Sequence, residues 1–335
     1  MAPTLALLVG SALWAYAYLP AGWLLSEMST PAITATRFLG AGLIMLALRP
    51  RCLRALGRRE VRGGLLLAVL LGVGTGLQLA GLRMISPAVS GFVSALYVVL
   101  TPFVARFTLG RRTTPATWAG ALVATAGAGV LSLHGFRVEL GVALTLLCAV
   151  AYAGQIVVLS EVSTPAHAYG LAVLQLLGAG VVGAAWALVA PGHGAYLPHT
   201  PTGWGWLAFL ILGPSLLCYA LQSWAQGHVG ATRAAVIFAT EPVFVLAFTA
   251  LAGHELGARA LTGGGLILAA VAIVEADGYG VMTRWFRTRA AKRSSPVTVP
   301  SASRGSIRPH ASLANDSQPT VTCAVDCPAL TGASR

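Results

Sequence analysis

Charge is what this chain has least of. Asp, Glu, Lys and Arg together make up 10% of its 335 residues, against about 25% in an ordinary soluble domain. Acidic residues are the scarcer sign, with 10 against 22 Lys and Arg. A chain this poor in ionised groups cannot cover a water-facing surface of its own size, so a soluble globular fold is excluded. Cysteine is also scarce. Of the five, Cys52, Cys148 and Cys218 fall in or beside apolar runs, where Cys acts as a small apolar residue. Cys323 and Cys327 have no His nearby, which argues against both a disulfide framework and a zinc site. The seven histidines are scattered, none at ligand spacing from Cys, Asp or Glu. No metal is expected. Neither a catalytic triad nor a carboxylate pair within one helix is present, so the chain is not read as an enzyme. The run Gly72-x-Gly74-x-Gly76 imitates a nucleotide loop, but no strand precedes it. Close helix approach accounts for those glycines, and no cofactor is expected.

Long apolar runs fill the chain instead. Hydrophobic residues reach 56% and the mean hydropathy is +0.76. Runs of about 20 residues cross a bilayer as helices, because lipid offers the backbone no hydrogen bonds. Ten spans are expected: 4–25, 32–48, 64–82, 88–109, 116–134, 140–160, 168–190, 203–225, 231–252 and 260–276. The first lacks the basic flank and short apolar core of a cleaved signal and is read as a permanent helix. Residues 278–335 form a polar tail, rich in Ser, Pro and Arg, that cannot bury enough apolar surface to fold.

The net charge of +12 invites a nucleic-acid reading, and its distribution argues against one. Arg49, Arg51, Arg54, Arg58, Arg59 and Arg62 crowd one short loop, and Arg284, Arg287, Arg289, Lys292 and Arg293 follow the last span. Arg111 and Arg112 fall on the same side, while the opposite loops keep Arg83, Arg137 and Arg259. The positive-inside rule puts the crowded loops and both termini in the cytoplasm, with anionic lipid as the partner of the basic groups.

The chain repeats itself. Ser26-Glu27-Met28-Ser29-Thr30-Pro31-Ala32 returns, with one change, as Ser160-Glu161-Val162-Ser163-Thr164-Pro165-Ala166. Leu39-Gly40-Ala41-Gly42 returns as Leu177-Gly178-Ala179-Gly180, and Leu77-Gln78 as Leu221-Gln222. Tyr18 then matches Tyr152, and Arg37 falls opposite Gln175. Two repeats are expected, 1–135 and 136–277, with five spans each. An odd number of spans inserts the second repeat upside down, giving an all-α integral membrane protein of two inverted five-helix halves.

A few polar side chains lie at membrane depth. Glu241 is the most informative. An ionised group at mid-bilayer costs at least about 2.5 kcal/mol, so it must face the bundle or a cavity. There it is a candidate proton carrier or substrate contact, or it satisfies a donor beside Pro242. Arg37 is a candidate partner for Glu241 or for a substrate carboxylate, with snorkelling or a fixed hydrogen bond to backbone carbonyls as the plainer account; Arg106 is read as snorkelling and Arg233 as a topological charge at the cytoplasmic start of its span. Thr101-Pro102 and Glu241-Pro242 are matched helix breaks, which would free the carbonyls of Val98 and Phe238 and gate a path. Pro20 and Pro214 have no matched partner. Gln78 and Gln222 are paired amides suited to a polar metabolite or to bridging helices, joined by Gln155 and Gln175. Among the aromatics Trp14, Tyr18, Tyr97, Tyr152, Tyr219 and Trp224, the deeper Tyr97 and Tyr152 are the better cavity candidates.

Ala231-Thr232-Arg233-Ala234-Ala235 leading into Glu241-Pro242-Val243, with Gly253 to Glu255 beyond, resembles the EamA family of the drug/metabolite transporter superfamily. Ser86-Pro87-Ala88 leading to Leu96 through Pro102 and the pair Arg37-Phe38 resemble the same family over residues 5–276. The first half departs at Gly110-Arg111-Arg112, where the family often has Gly-Glu. The resemblance implies a ten-helix inner-membrane carrier of small organic metabolites, often exported and including amino acids. It also implies coupling to protons, another ion or a substrate gradient. A multidrug exporter is the nearest rival, and a non-transporting receptor is the reading from another class. Monomer and homodimer both stay open.

Overall fold

The computed structural model describes residues 2–110, 115–134, 137–189, 195–228, 240–253 and 261–270, with single positions between 234 and 273. The proposed tail, Arg111, Arg112, Arg233 and residues 254–256 lie outside the described residues. Nearly everything described is helix: α1 (Ala2–Leu24), α2 (Thr30–Leu48), α3 (Arg58–Leu82), α4 (Pro87–Ser94), α5 (Leu96–Leu109), α6 (Pro115–Ser132), α7 (Leu140–Val162), α8 (Ala168–Val189), α9 (Pro201–Leu210), α10 (Cys218–Gln226), α11 (Glu241–Leu251) and α12 (Leu261–Ala270). A seven-residue π-helical segment, Ile211–Leu217, joins α9 to α10. An antiparallel strand pair, Leu133–His134 with Arg137–Val138, precedes α7.

Seven stretches among the described residues are long and apolar enough to cross a membrane: α1, α2, α3, α4 with α5, α7, α8, and α9 through α10. Shorter apolar helices occupy Trp118–Gly127, Glu241–Leu251 and Leu261–Ala270. The outward faces are apolar, with Leu122 74% and Leu188 86% exposed, as lipid requires. Helix starts follow their capping residues. Ser29, Ser86 and Thr200 each stand before a proline-led helix and accept the amide of the third residue on, satisfying one of its free donors.

The two halves interleave. α3 lies between α7 and α8, α2 packs on α8, α1 packs on α10 and α11, and α4 touches both α7 and α11. Small residues allow the close approach. A Cβ at Gly72 would come within 3.0 Å of the Ala179 carbonyl, and one at Gly76 would strike Trp186. The two Leu-Gly-Ala-Gly copies meet each other. Gly42 sits against Leu177, and Gly180 sits against Leu39. Stepping forward along α2 from Leu39 to Gly42 moves the partner backward from Gly180 to Leu177, so α2 and α8 run antiparallel through this contact.

Both proline motifs differ in place from their sequence expectation. Pro102 lies inside α5, and the chain breaks earlier, at Ala95. A proline ring crowds the carbonyl four residues back, here Val98. The distortion shows one turn upstream, where the Val98 amide bonds Ala95 O at 3.0 Å in a tightened turn. Thr101 turns its hydroxyl back onto the Tyr97 carbonyl at 2.7 Å. Pro242 stands in the first turn of α11, where a missing N–H costs nothing.

Candidate functional site

A cavity of about 710 Å³, counting the space at its mouth, lies where α1, α2, α3, α5, α7, α10 and α11 converge. Glu241, Arg37, Gln78, Gln222, Tyr97 and Tyr152 all line it, joined by Trp14, Tyr18, Thr75, Gln155, Tyr219 and Phe238. Thr101, Pro102 and Pro242 do not line it. Trp224 stands away from it, half-exposed against His228, and Arg106 is exposed in the last turn of α5.

The carboxylate of Glu241 is held by phenols. Tyr97 donates to its Oε2 at 2.8 Å and Tyr18 to its Oε1 at 3.4 Å. Glu241 opens α11, so the partial positive charge of the free amides at that helix end also favours a carboxylate. The Tyr97 hydroxyl also lies 3.4 Å from the Phe238 carbonyl. From Tyr18 a chain of hydrogen bonds runs along one wall. Gln78 Nε2 donates to the Tyr18 oxygen at 2.8 Å, Tyr152 donates to Gln78 Oε1 at 3.0 Å, and Thr75 meets the Tyr152 hydroxyl at 3.0 Å. Tyr18 also reaches Ser94 Oγ at 2.7 Å.

A second polar group is built of amides. Gln155 and Gln222 exchange hydrogen bonds at 3.3 and 3.2 Å. Gln155 also donates to Gln175 Oε1 at 3.2 Å, and Gln175 donates to Ser223 Oγ at 3.1 Å. Gln175 itself is fully buried and supports the two amides that reach the cavity.

Arg37 is 94% buried, being 6% exposed. Its Nε donates to Ser215 Oγ at 2.8 Å, and its guanidinium stands 5.0 Å from the Phe38 ring centre. No ion pair joins it to Glu241, whose oxygens take tyrosine hydroxyls instead. Its two Nη groups have no hydrogen-bond partner among the described residues, and the residue lines the cavity. Aromatic rings line the same cavity: Trp14 packs on Tyr219 at 5.3 Å and on Phe238 at 5.4 Å, and Tyr97 meets Tyr152 edge to face at 6.4 Å.

Sequence reasoning missed Ser94, Thr75 and Ser215 as parts of this site. Small hydroxyls in apolar helices carry no positional signal of their own. Pro242 points to Phe238, four residues back, and the carbonyl of Phe238 lies 3.4 Å from the Tyr97 hydroxyl.

An apolar helical bundle, a duplicated sequence and a cavity lined by both polar and aromatic side chains are in place. The profile of the EamA-like transporter family matches residues 1–133 and again 139–275. The chain belongs to the EamA-like transporter family. Members of this family are membrane transporters rather than enzymes, and the apolar helices and twofold match fit that class here. A solved crystal structure of a protein aligns with 80% of this chain and 95% of its own length, at 20% identity and a TM-score of 0.57, which shows a shared fold. Comparison with curated proteins finds no match.

Proposed function

We propose that this EamA-like transporter is a ten-helix secondary carrier of the cell membrane, with inverted repeats at 1–135 and 136–277 and both termini cytoplasmic. It moves a small zwitterionic, amino-acid-like metabolite, outward, by alternating access. The antiparallel contact between equivalent helices α2 and α8 supports the inversion. So does the exchange of contacts between halves, in which α1 leans on α10 and α11 as α7 leans on α3 and α5.

One observation carries the substrate reading. A single cavity presents a buried carboxylate and a buried guanidinium that do not neutralise each other. A ligand bearing both an ammonium and a carboxylate complements that pair, and the amides of Gln78 and Gln222 suit its polar atoms. In this reading Glu241 holds the ammonium and, between substrates, a coupling proton, so that the two compete for one site. α11 and the α4–α5 break are the moving parts. The aromatic wall of Trp14, Tyr219 and Phe238 supports the second reading, export of hydrophobic cations, which would need Glu241 and not Arg37.

Counterflow of labelled amino acids in proteoliposomes tests the proposal. Exchange in the wild type and its loss in Glu241→Gln is the expected result. Transport of hydrophobic cations with no amino-acid exchange would establish the second reading. Ligand binding without flux of any compound would make the protein a receptor.

A further inference from the structure

The π-helical segment between α9 and α10 touches both α1 and α2. A π turn carries an extra residue, and such turns redirect groups that an α-helix would present elsewhere. Here two adjacent residues of the segment are held by cavity-lining side chains of the first half. Trp14 Nε1 donates to the Pro214 carbonyl at 2.8 Å. Arg37 Nε donates to Ser215 Oγ at 2.8 Å, and Ser215 is completely buried.

The atom that Ser215 takes decides what Arg37 has left. A guanidinium can meet a carboxylate side-on, through Nε and one Nη, or end-on, through both Nη groups. With Nε committed to Ser215, the end-on fork remains. A cation that is 94% buried, 6% being exposed, with both fork nitrogens free of partners among the described residues, is costly unless an anion meets it. Glu241 does not, because Tyr18 and Tyr97 occupy its oxygens.

We propose that Ser215 is a specificity-determining positioning residue: by holding Arg37 through Nε it aims the end-on fork at the carboxylate of the substrate. The inference rests on the zwitterion reading above and assigns one half of it to a residue that does not itself touch the ligand. Ser215 does for Arg37 what the tyrosines do for Glu241. It sets orientation, and the charge supplies the attraction.

The test compares amino acids with their carboxamides, which keep the size and the ammonium but lose the anion. Binding to the detergent-solubilised full chain is read by ligand-induced thermal stabilisation and titration calorimetry. The wild type is expected to prefer the acid by at least about tenfold. Ser215→Ala should bring acid and amide to within about threefold of each other while the ligand-free melting temperature stays near wild type, and Ser215→Thr should restore the preference. In an Arg37→Lys background, which has no Nε to hold, Ser215→Ala should change nothing further.

A wild-type preference retained in Ser215→Ala overturns the proposal. So does an equal loss from Ser215→Ala in the Arg37→Lys background, since that would mark a packing role. Counterflow separates this from the carrier reading. Acid preference without flux in vesicles would sink transport and leave the positioning role standing. Flux without acid preference would do the reverse.

Discussion

On one wall of the cavity Glu241 receives two phenolic hydroxyls and stands at a helix start. On another, Arg37 has, among the described residues, one hydrogen bond, to Ser215, and the ring of Phe38 beside it. Both are buried ionisable groups in the same apolar bundle. The first has been given its donors by the protein. The second has no acceptor for its two Nη groups among the described residues, and in the proposed reading the substrate's anion supplies one. In that reading the difference also fixes which contact gains more when substrate arrives.

The largest effect should come from the unserved charge. Arg37→Met is expected to lower the apparent affinity for amino acids about a hundredfold, the loss that follows removal of one partner from a desolvated charge contact. The same variant should be no less stable than the wild type, and by up to about 2 kcal/mol more stable, because an unpaired buried charge is replaced by a packed apolar chain. Counterflow and thermal melting on one preparation check both. A variant that unfolds would show that Arg37 is structural and would break the comparison.

Glu241→Gln comes next. Its amide oxygen can still accept from Tyr97, so stability should change by less than about 1 kcal/mol. Exchange should fall at least tenfold, and the residual flux should no longer respond to an imposed pH gradient. Full activity in this variant would remove both roles assigned to the carboxylate.

The phenols sharpen the contrast further. Tyr97→Phe deletes the 2.8 Å bond to Glu241 and should destabilise by about 1.5–3 kcal/mol, the usual worth of a hydrogen bond to a charged group. Tyr18→Phe deletes the longer, 3.4 Å bond and should cost less. Chemical-denaturant or thermal melting orders the two. The reverse order would mean that Tyr18 acts chiefly through Ser94 and Gln78.

The smallest effect is expected outside the cavity. Glu27 lies between α1 and α2, where the Thr200 hydroxyl at 2.6 Å and the His199 amide at 3.0 Å hold its carboxyl below the usual range. A carboxyl lowered in the folded state adds stability above its unfolded value and loses it as pH falls through the folded one. Glu27→Gln should therefore lower the melting temperature slightly at neutral pH and flatten its decline in acid. Amino-acid affinity should not move.

Much of the cavity was legible in the sequence because burying charge in lipid is costly, so Glu241 and Arg37 announced themselves. Their relation did not. Arg37 was a candidate partner for Glu241, and the structure gives each its own hydroxyls instead. The repeats exposed Gln78, Gln222, Tyr18 and Tyr152 as equivalent positions, and these converge on one cavity. The π-helical segment left no trace beyond Pro214, since one extra residue in a turn alters hydrogen bonding without altering composition. The duplicated seven residues teach the same limit. In the first copy Ser29 caps α2 and Met28 O accepts from Arg83 at 2.7 Å. In the second, Ser163 donates to the Ser223 carbonyl at 2.8 Å and Ser160 receives Gln226 at 2.8 Å. Like sequence marks the end of a helix in both places, and the neighbours decide what each side chain then holds.

The meeting of the two Leu-Gly-Ala-Gly copies has a consequence for how the halves can diverge. A side chain added at Gly180 would stand 2.6 Å from the Leu39 backbone nitrogen, and one at Gly42 would stand 3.0 Å from that of Leu177. Each copy is therefore the mould of the other. Enlarging one glycine is not an independent event, because the backbone of its own counterpart must retreat. At this crossing, steric contact ties the two copies together, so a change of size in one must be answered in the other.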